Sequence, residues 1–102
     1  MRAIEVPKYG SSDVLEIVVR ELPTPGSGEV VLESYAIGVN FADIKRRRGV
    51  SGRAPDPPFV PGLEAAGVVT AVGDGVEYAV GDRVVALVGA GAYAESVLAD
   101  TD

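Results

Sequence analysis

Most of the chain consists of short apolar stretches separated by turns that are rich in glycine, proline and aspartate. Stretches of this length that contain many β-branched residues are typical of β-strands, and the turn residues mark where each strand ends. We therefore predict six strands, at residues 1–6, 14–21, 29–39, 62–72, 83–88 and 92–97. A strand-rich chain with a single short helix predicts a mainly β fold in the form of a partly open barrel.

The pattern changes after residue 39, where a short helix is predicted. Asn40 suits the N-cap because its side chain can accept a hydrogen bond from a first-turn N–H, and Asp43 complements the positive N-terminal end of a helix. Gly49 is a typical residue just beyond a helix C-terminus. A helix of about eight residues is unstable alone, so we expect packing to hold it.

The helical wheel predicts which side chains of this helix face the rest of the domain. Phe41 and Ile44 share one face, and Lys45 and Arg48 lie beside it. The opposite side carries Asp43, Arg46 and Arg47. Lys45 and Arg48 are therefore the basic residues that we expect to face something other than bulk solvent.

Composition narrows the range of functions. The chain has 102 residues, which is the length of one small domain. Its net charge of −6 argues against nucleic acid and against an anionic membrane as partner. No apolar run approaches the roughly 20 residues that span a bilayer, and no secretory signal is present. Together with the absence of cysteine, this leads us to expect a cytoplasmic protein.

One cluster of charge opposes the acidic balance, because five of the nine basic residues lie between residues 45 and 53. Two interpretations are open at this point. The cluster is either a solvated helix face with an adjoining loop, or a positive patch at a cleft that receives an anionic cofactor.

The most informative motif runs from Pro58 to Gly73 and contains Gly62-Leu63-Glu64. It resembles the catalytic-domain signature of the medium-chain dehydrogenase/reductase superfamily, whose zinc alcohol dehydrogenases have histidine at the position of Leu63. Zinc is bound by thiolate, imidazole or carboxylate ligands, and this chain contains no cysteine and no histidine. The resemblance therefore implies a zinc-independent member of the superfamily, and we expect no metal site.

Four further segments extend the resemblance along the chain. They are Met1-Arg2-Ala3, Gly38-Val39-Asn40-Phe41-Ala42-Asp43, Gly81-Asp82-Arg83-Val84 and Gly91-Ala92-Tyr93-Ala94-Glu95-Ser96-Val97. Their order and spacing are similar to those of the quinone oxidoreductase, or zeta-crystallin-like, branch. Zinc members carry a four-cysteine lobe between the last two segments, and here Arg83 and Ala92 leave no room for one. The resemblance implies that residues 1–102 are a GroES-like N-terminal catalytic domain, a fragment of a longer enzyme.

The resemblance also implies an activity. Members of this branch bind NADPH, mainly through a Rossmann domain, and transfer hydride to a quinone or an α,β-unsaturated carbonyl. The chain has no Gly-x-Gly-x-x-Gly, so the Rossmann domain is absent from it. A homodimeric parent enzyme is expected. Three alternatives stay open: an enoyl or enone reductase of the same superfamily, a GroES-like co-chaperonin, and a scaffold domain without activity.

Four residues are candidates for the site. Asn40 is at the family's first active-site position, which implies contact with the nicotinamide carboxamide or the substrate carbonyl. Lys45 stands where quinone reductases often have tyrosine and is a second catalytic candidate. Arg48 is a candidate for binding the anionic cofactor, and Phe59 for the apolar edge of the quinone pocket. Glu64 is expected to be a structural carboxylate that bonds to backbone or to arginine.

Overall fold

A computed structural model describes residues 1–101 of the chain. Its six strands are β1 (Arg2–Glu5), β2 (Glu16–Val19), β3 (Glu29–Ile37), β4 (Glu64–Val72), β5 (Arg83–Leu87) and β6 (Ser96–Asp100). One α-helix, α1, spans Phe41–Arg48, and a single 3-10 turn spans Ser12–Val14. The mainly β fold with one short helix is therefore confirmed. No helix within residues 1–101 is both long enough and apolar enough to cross a bilayer.

The strands form two antiparallel sheets that remain open. Strands β1 and β2 form a two-stranded ribbon, and the larger sheet has the order β5-β4-β3-β6. Isolated backbone bridges from Ala3 to Ala94 and from Val6 to Phe59 attach the ribbon to segments outside the larger sheet's named strands. Because β5 and β6 are edge strands in the part of the chain that the structure describes, the barrel is only partly closed.

The main core, on the larger sheet, is aliphatic and built from small side chains. Leu32, Val69 and Val97 are almost fully buried at its centre. The same cluster also contains Val30, Ala65, Ala86, Ala92 and Ala99. Burial alternates along most of β4, as expected for a strand with one face on the core. The apolar stretches and turn residues in the sequence therefore identified the strands that carry the core.

Three predicted strands start at least two residues too early. The last strand was predicted at residues 92–97 but begins only at Ser96, where its pairing with β3 starts. The residues before it donate hydrogen bonds to two other segments, through Ala92 to Gly62 and Tyr93 to Pro61, and through Glu95 to Arg2. The strand predicted at 14–21 is shorter, because the 3-10 turn occupies its start. Strand β4 begins at Glu64 rather than at residue 62, since Gly62 has a φ of +107°.

Candidate functional site

The junction between β3 and α1 forms the centre of the candidate site. Asn40 is the N-cap of α1, with an extended backbone (φ −119°, ψ 155°), and its side chain is half-buried. The Asn40 N–H donates a 2.8 Å hydrogen bond to Asp43 Oδ2. Gly49 ends the helix in the left-handed conformation, with a φ of 70°. Both predicted helix ends are therefore confirmed.

Asp43 is the buried residue of α1, with only 4% of its surface exposed. The prediction that it lies on the side away from the domain is wrong. Its Oδ2 atom accepts a second hydrogen bond, 2.9 Å long, from the hydroxyl of Tyr93. A helical wheel assigns a carboxylate to solvent, but a carboxylate in the first turn is satisfied by helix N-terminal N–H groups and by any donor that approaches there. Here that donor is Tyr93.

Tyr93 connects the helix to the segment that contains Gly62-Leu63-Glu64. Its N–H donates a 2.9 Å hydrogen bond to the carbonyl of Pro61, and its ring packs so closely on Gly62 that a Cβ atom there would lie 2.6 Å from Tyr93 Cδ1. Burial, followed by the hydrogen bond to Asp43 and the charge of Asp43, raises the pKa of Tyr93 to about 12. The hydroxyl is therefore protonated at neutral pH and acts as a donor.

Sequence reasoning missed the pairing of Asp43 with Tyr93. One signal was available, because an N-cap followed three residues later by a carboxylate is the pattern of a capping box. That pattern predicts the bond from Asn40 to Asp43, but nothing local to α1 predicts a partner that is fifty residues further along the chain.

Glu64 lies beside the same junction at the start of β4. Its backbone carbonyl accepts a 3.3 Å hydrogen bond from the N–H of Gly38, and its carboxylate packs against Gly38, where any Cβ atom would collide with it. The ion pairs within residues 1–101 involve other carboxylates. Within residues 1–101 the Glu64 carboxylate forms neither an ion pair nor a side-chain hydrogen bond, so the expectation that it bonds to backbone or to arginine is wrong. A small cavity of about 240 Å³ opens between Glu64 and Val85.

The basic residues of α1 that contact the domain are the ones that were predicted to face solvent. Arg46 donates a 2.6 Å hydrogen bond to the carbonyl of Gly89, and Arg47 donates a 3.2 Å bond to the carbonyl of Gly10. Lys45 and Arg48, which were expected to turn away from bulk solvent, are exposed. The reason is tertiary: the loops that contain Gly10 and Gly89 supply carbonyl acceptors to the side of the helix that the wheel assigned to solvent.

Phe41 departs from the predicted helix face in the same way. Its side chain is 69% exposed, whereas Ile44 is half-buried. Phe41 and Lys45 are four residues apart and therefore neighbours on the helix surface, and the Lys45 ammonium lies over the Phe41 ring. The exposed face of α1 thus presents an aromatic ring with two cationic side chains, Lys45 and Arg48.

Phe59 is held at a different place. Its carbonyl accepts a 2.8 Å hydrogen bond from the N–H of Val6, and its own N–H donates a 3.2 Å bond to the carbonyl of Val6. Val6 is completely buried, so this pairing fixes the Phe59 backbone firmly against β1. The structure describes no contact that joins Phe59 to Asn40 or Lys45, and its role in a quinone pocket stays a prediction.

An apolar groove of about 410 Å³ lies between the β1–β2 ribbon and the end of β3. Ile17, Ile37 and Val39 contribute to its lining, together with Tyr93. At its rim the Arg2 guanidinium lies 3.2 Å from a Glu95 carboxylate oxygen, and hydrogen bonds from Arg2 lower the pKa of Glu95. Because Val39 precedes Asn40 directly, the groove opens next to the polar junction.

The described residues do not form a metal centre or a complete dinucleotide site. Within residues 1–101, no three histidine, cysteine, aspartate or glutamate side chains come close enough to hold a metal ion. Strands β3 and β4, which flank α1, pair with each other in antiparallel orientation. A dinucleotide site instead needs a helix between two parallel strands, with its N-terminus at the pyrophosphate. A complete NADPH site therefore does not fit these residues alone.

Comparison with known proteins agrees with this geometry. Residues 26–102 match the family model of the alcohol dehydrogenase GroES-like domain. The chain belongs to the medium-chain dehydrogenase/reductase superfamily. A probable quinone oxidoreductase of Schizosaccharomyces pombe is 46% identical over 94 residues, which cover 90% of this chain and 28% of that relative. The resemblance predicted from the motifs is therefore confirmed.

Two solved structures give the same result for the fold. The human synaptic vesicle membrane protein VAT-1 homolog-like protein superposes with a TM-score of 0.95 at 39% identity, covering 98% of this chain and 33% of that one. The Escherichia coli quinone oxidoreductase complexed with NADPH superposes with a TM-score of 0.92 at 38% identity, covering 97% of this chain and 31% of that one. The chain thus spans about a third or less of the length of these relatives.

Proposed function

We propose that residues 1–102 are the GroES-like N-terminal catalytic domain of a longer, NADPH-dependent and zinc-independent oxidoreductase. The reaction proposed is hydride transfer to a quinone or to an α,β-unsaturated carbonyl. Two similarities support this proposal: 46% identity to a probable quinone oxidoreductase and 38% identity to a quinone oxidoreductase complexed with NADPH.

The observation that carries the proposal is the chain of contacts from Asn40 to the Gly62-Leu63-Glu64 segment. It runs from the Asn40 N–H to Asp43, from Asp43 to the Tyr93 hydroxyl, and from the Tyr93 N–H to the carbonyl of Pro61. These are the two segments in which zinc relatives have metal ligands. An amide at residue 40 and an aliphatic side chain at Leu63 cannot act as Lewis acids, so activation of a carbonyl has to rest on hydrogen bonds.

Each candidate residue then has a distinct task. The nicotinamide cofactor supplies the hydride when it is bound, and the protein contributes position and hydrogen bonds. The Asn40 amide orients the substrate carbonyl or the cofactor carboxamide, and the exposed Lys45 ammonium polarises the carbonyl oxygen. Arg48 contacts cofactor phosphate, and Phe59 borders the apolar part of the substrate pocket. The remaining contacts to NADPH come from protein outside this chain.

The partners that we propose are a small-molecule quinone or unsaturated carbonyl and a second copy of the parent enzyme, which we propose to be a cytoplasmic homodimer. The net charge of −6 supports the view that neither nucleic acid nor an anionic membrane is a partner.

An enoyl or enone reductase of the same superfamily is the second candidate, because the donors at Asn40 and Lys45 would serve either kind of carbonyl. A co-chaperonin is disfavoured by the loop that follows α1. Co-chaperonins bind their partner through a mobile loop, whereas this loop is fastened by a 2.6 Å bond from the Tyr9 hydroxyl to the carbonyl of Pro55 and by the pairing of Phe59 with Val6.

The test is a comparison between this chain and the longer protein that contains it. Isothermal titration of residues 1–102 with NADPH should show no submillimolar binding, because α1 does not lie between parallel strands. The longer protein should bind NADPH and reduce quinones or enones at its expense. Tight binding to residues 1–102 would mean that the cofactor site is misplaced, and a longer protein that oxidises NADPH with neither class of acceptor would overturn the proposed function.

A further inference from the structure

Asp43 differs from the other buried carboxylate within residues 1–101 in how its charge is satisfied. Glu5 is 9% exposed and forms an ion pair with Arg20. Asp43 is 4% exposed, and the ion pairs that the structure describes within residues 1–101 do not include it. Burial of a carboxylate without a cationic partner is costly unless hydrogen bonds replace the lost water. Asp43 must therefore be held by the donors around it.

Those donors converge on one atom. Asp43 Oδ2 accepts hydrogen bonds from the Asn40 N–H at 2.8 Å and from the Tyr93 hydroxyl at 2.9 Å. The other oxygen, Oδ1, is buried and has no hydrogen-bond partner among the described residues. Both bonds are charge-assisted, and such bonds are shorter and stronger than neutral ones. A single oxygen thus joins the N-cap of α1 to a residue on the far side of the site.

We propose that Asp43 is a positioning residue that fixes the Asn40 side chain for hydride transfer by locking the N-terminus of α1 onto Tyr93. The proposal rests on the proposed function. Tyr93 is itself fixed, because its N–H bonds to Pro61 and its ring lies on Gly62. Asp43 therefore sets the distance between Asn40 and the Gly62-Leu63-Glu64 segment without touching substrate or cofactor.

Hydride transfer requires Asn40 to be placed precisely, which explains why this restraint is useful. A misplacement of about 1 Å in a positioning contact can lower a rate by about a hundredfold. Asn40 is half-buried and belongs to a helix of only eight residues, which cannot hold its first turn in place by itself. The bond to Asp43 and the bond from Asp43 to Tyr93 provide this restraint.

The first experiment is a double-mutant cycle in the complete enzyme. Asp43→Asn keeps the size of the side chain but removes its charge, and Tyr93→Phe removes only the hydroxyl. Each should lower kcat by a few-fold to about tenfold, which is no more than the loss of the Asn40 side chain itself, with little change in KM for NADPH. In an Asn40→Ala background, Asp43→Asn should lower kcat by less than about twofold, because the side chain that it positions is gone. Asp74→Asn, on an exposed turn, is the matched control and should leave kcat unchanged.

Two outcomes of this cycle would contradict the positioning role of Asp43. If Asp43→Asn lowers kcat by the same factor with and without Asn40, Asp43 acts through the stability of the domain and not through Asn40. If Asp43→Asn has wild-type kcat, the restraint is not needed. If Asp43→Asn fails to fold, Tyr93→Phe takes its place in the same cycle and decides the question.

A second measurement separates this proposal from the proposed function. Nuclear magnetic resonance relaxation of the Asn40 side-chain amide in the 102-residue chain reports how well that amide is fixed. Tyr93→Phe and Asp43→Asn should both lower its order parameter, whereas Asp74→Asn should not. An unchanged order parameter in both variants overturns the positioning role, whatever reaction the enzyme catalyses. If both variants lower the order parameter but the complete enzyme reduces neither quinones nor enones, only the proposed function is contradicted.

Discussion

The Lys45 ammonium lies 5.3 Å from the centre of the Phe41 ring, on the exposed face of α1. This distance is within the range in which the negative face of an aromatic ring attracts a cation. The contact gives Lys45 a defined position although its side chain is exposed. A positive charge that is held in place can act on a carbonyl group or a phosphate, whereas a freely moving one contributes little.

We therefore predict that Lys45→Met lowers the kcat/KM of the complete enzyme for quinones by a few-fold to roughly tenfold. The loss should become smaller as salt is added, because an exposed charge is screened within about 10 Å at 0.1 M ionic strength. Lys8→Met removes another exposed lysine and is the control. Wild-type kinetics of Lys45→Met at low salt would show that Lys45 is a surface residue without a catalytic role.

Replacement of Asn40 distinguishes its role in orienting the substrate or cofactor from its role as the N-cap of α1. Asn40→Ala should reduce quinone turnover roughly tenfold, because one orienting hydrogen bond contributes about 1 kcal/mol or slightly more in a dry site. It should also cost about 1 kcal/mol of stability, since alanine is a poor N-cap. Asn40→Ser caps a helix comparably but lacks the amide. Full activity of Asn40→Ser with several quinones would reduce Asn40 to a helix cap.

The raised pKa of Tyr93 predicts a specific loss of stability in alkali. Its pKa is about 12 in the folded chain, against an ordinary value of 10.0. The folded state therefore holds this proton more tightly, and the contribution to stability is complete below pH 10 and is lost as the pH rises through 12. Denaturant unfolding between pH 9 and 12 should show a decline of about 1–2 kcal/mol from this group.

Tyr93→Phe provides the reference for that measurement. The variant has no hydroxyl to titrate, so the part of the alkaline decline that is due to Tyr93 should disappear. The difference between the tyrosinate absorbance titrations of wild type and variant should give the pKa of Tyr93 directly. A difference titration centred near pH 10 would mean that the bond to Asp43 is absent in solution.

The sequence also predicts that neither the domain nor its parent enzyme binds zinc specifically. Leu63 and Asn40 stand at two positions where zinc relatives have ligands, and the chain has no thiol or imidazole. Elemental analysis of untagged protein, purified without chelator, should find far less than one zinc ion per chain. Stoichiometric zinc whose removal abolishes activity would contradict the assignment to the zinc-independent branch.

Gly62 should tolerate no side chain. Its φ of +107° is strained for any L-residue, and a Cβ atom there would lie 2.7 Å from the backbone nitrogen of Tyr93. Gly62→Ala should therefore destabilise the domain by more than about 1 kcal/mol in chemical unfolding. Gly52→Ala is the control, because the space around Gly52 is open and its φ lies outside that strained range. Equal stability of the two variants would show that the segment before β4 relaxes freely.

The sequence was most informative where the structure depends on local chemistry. Apolar stretches bounded by turn residues located the strands that carry Leu32, Val69 and Val97, and the cap residues Asn40 and Gly49 located both ends of α1. These features depend on residues that are neighbours in the chain, so periodicity and capping rules apply to them directly. The motif around Gly62 identified the superfamily because it too is a contiguous stretch of the chain.

Predictions failed where the partner of a side chain lies far away in the chain. Arg46 and Arg47 reach carbonyl groups of Gly89 and Gly10, and Asp43 meets Tyr93. A helical wheel ranks these three side chains as solvent-facing because they lie opposite the apolar face of the helix. Backbone carbonyls and a tyrosine hydroxyl supplied by other segments make burial of polar groups favourable, and only the tertiary fold shows where those segments lie.

The attachment of α1 through polar side chains has a consequence for its thermodynamics. The side-chain hydrogen bonds from the helix to the domain are made by Asp43, Arg46 and Arg47. Of its larger apolar residues, Phe41 is exposed and Ile44 is only half-buried. Lifting such a helix off the domain transfers little hydrocarbon into water, so the heat capacity of this local opening is small. Its free energy therefore changes almost linearly with temperature, without the curvature that governs the aliphatic core, and the two parts of one small domain respond differently to cold.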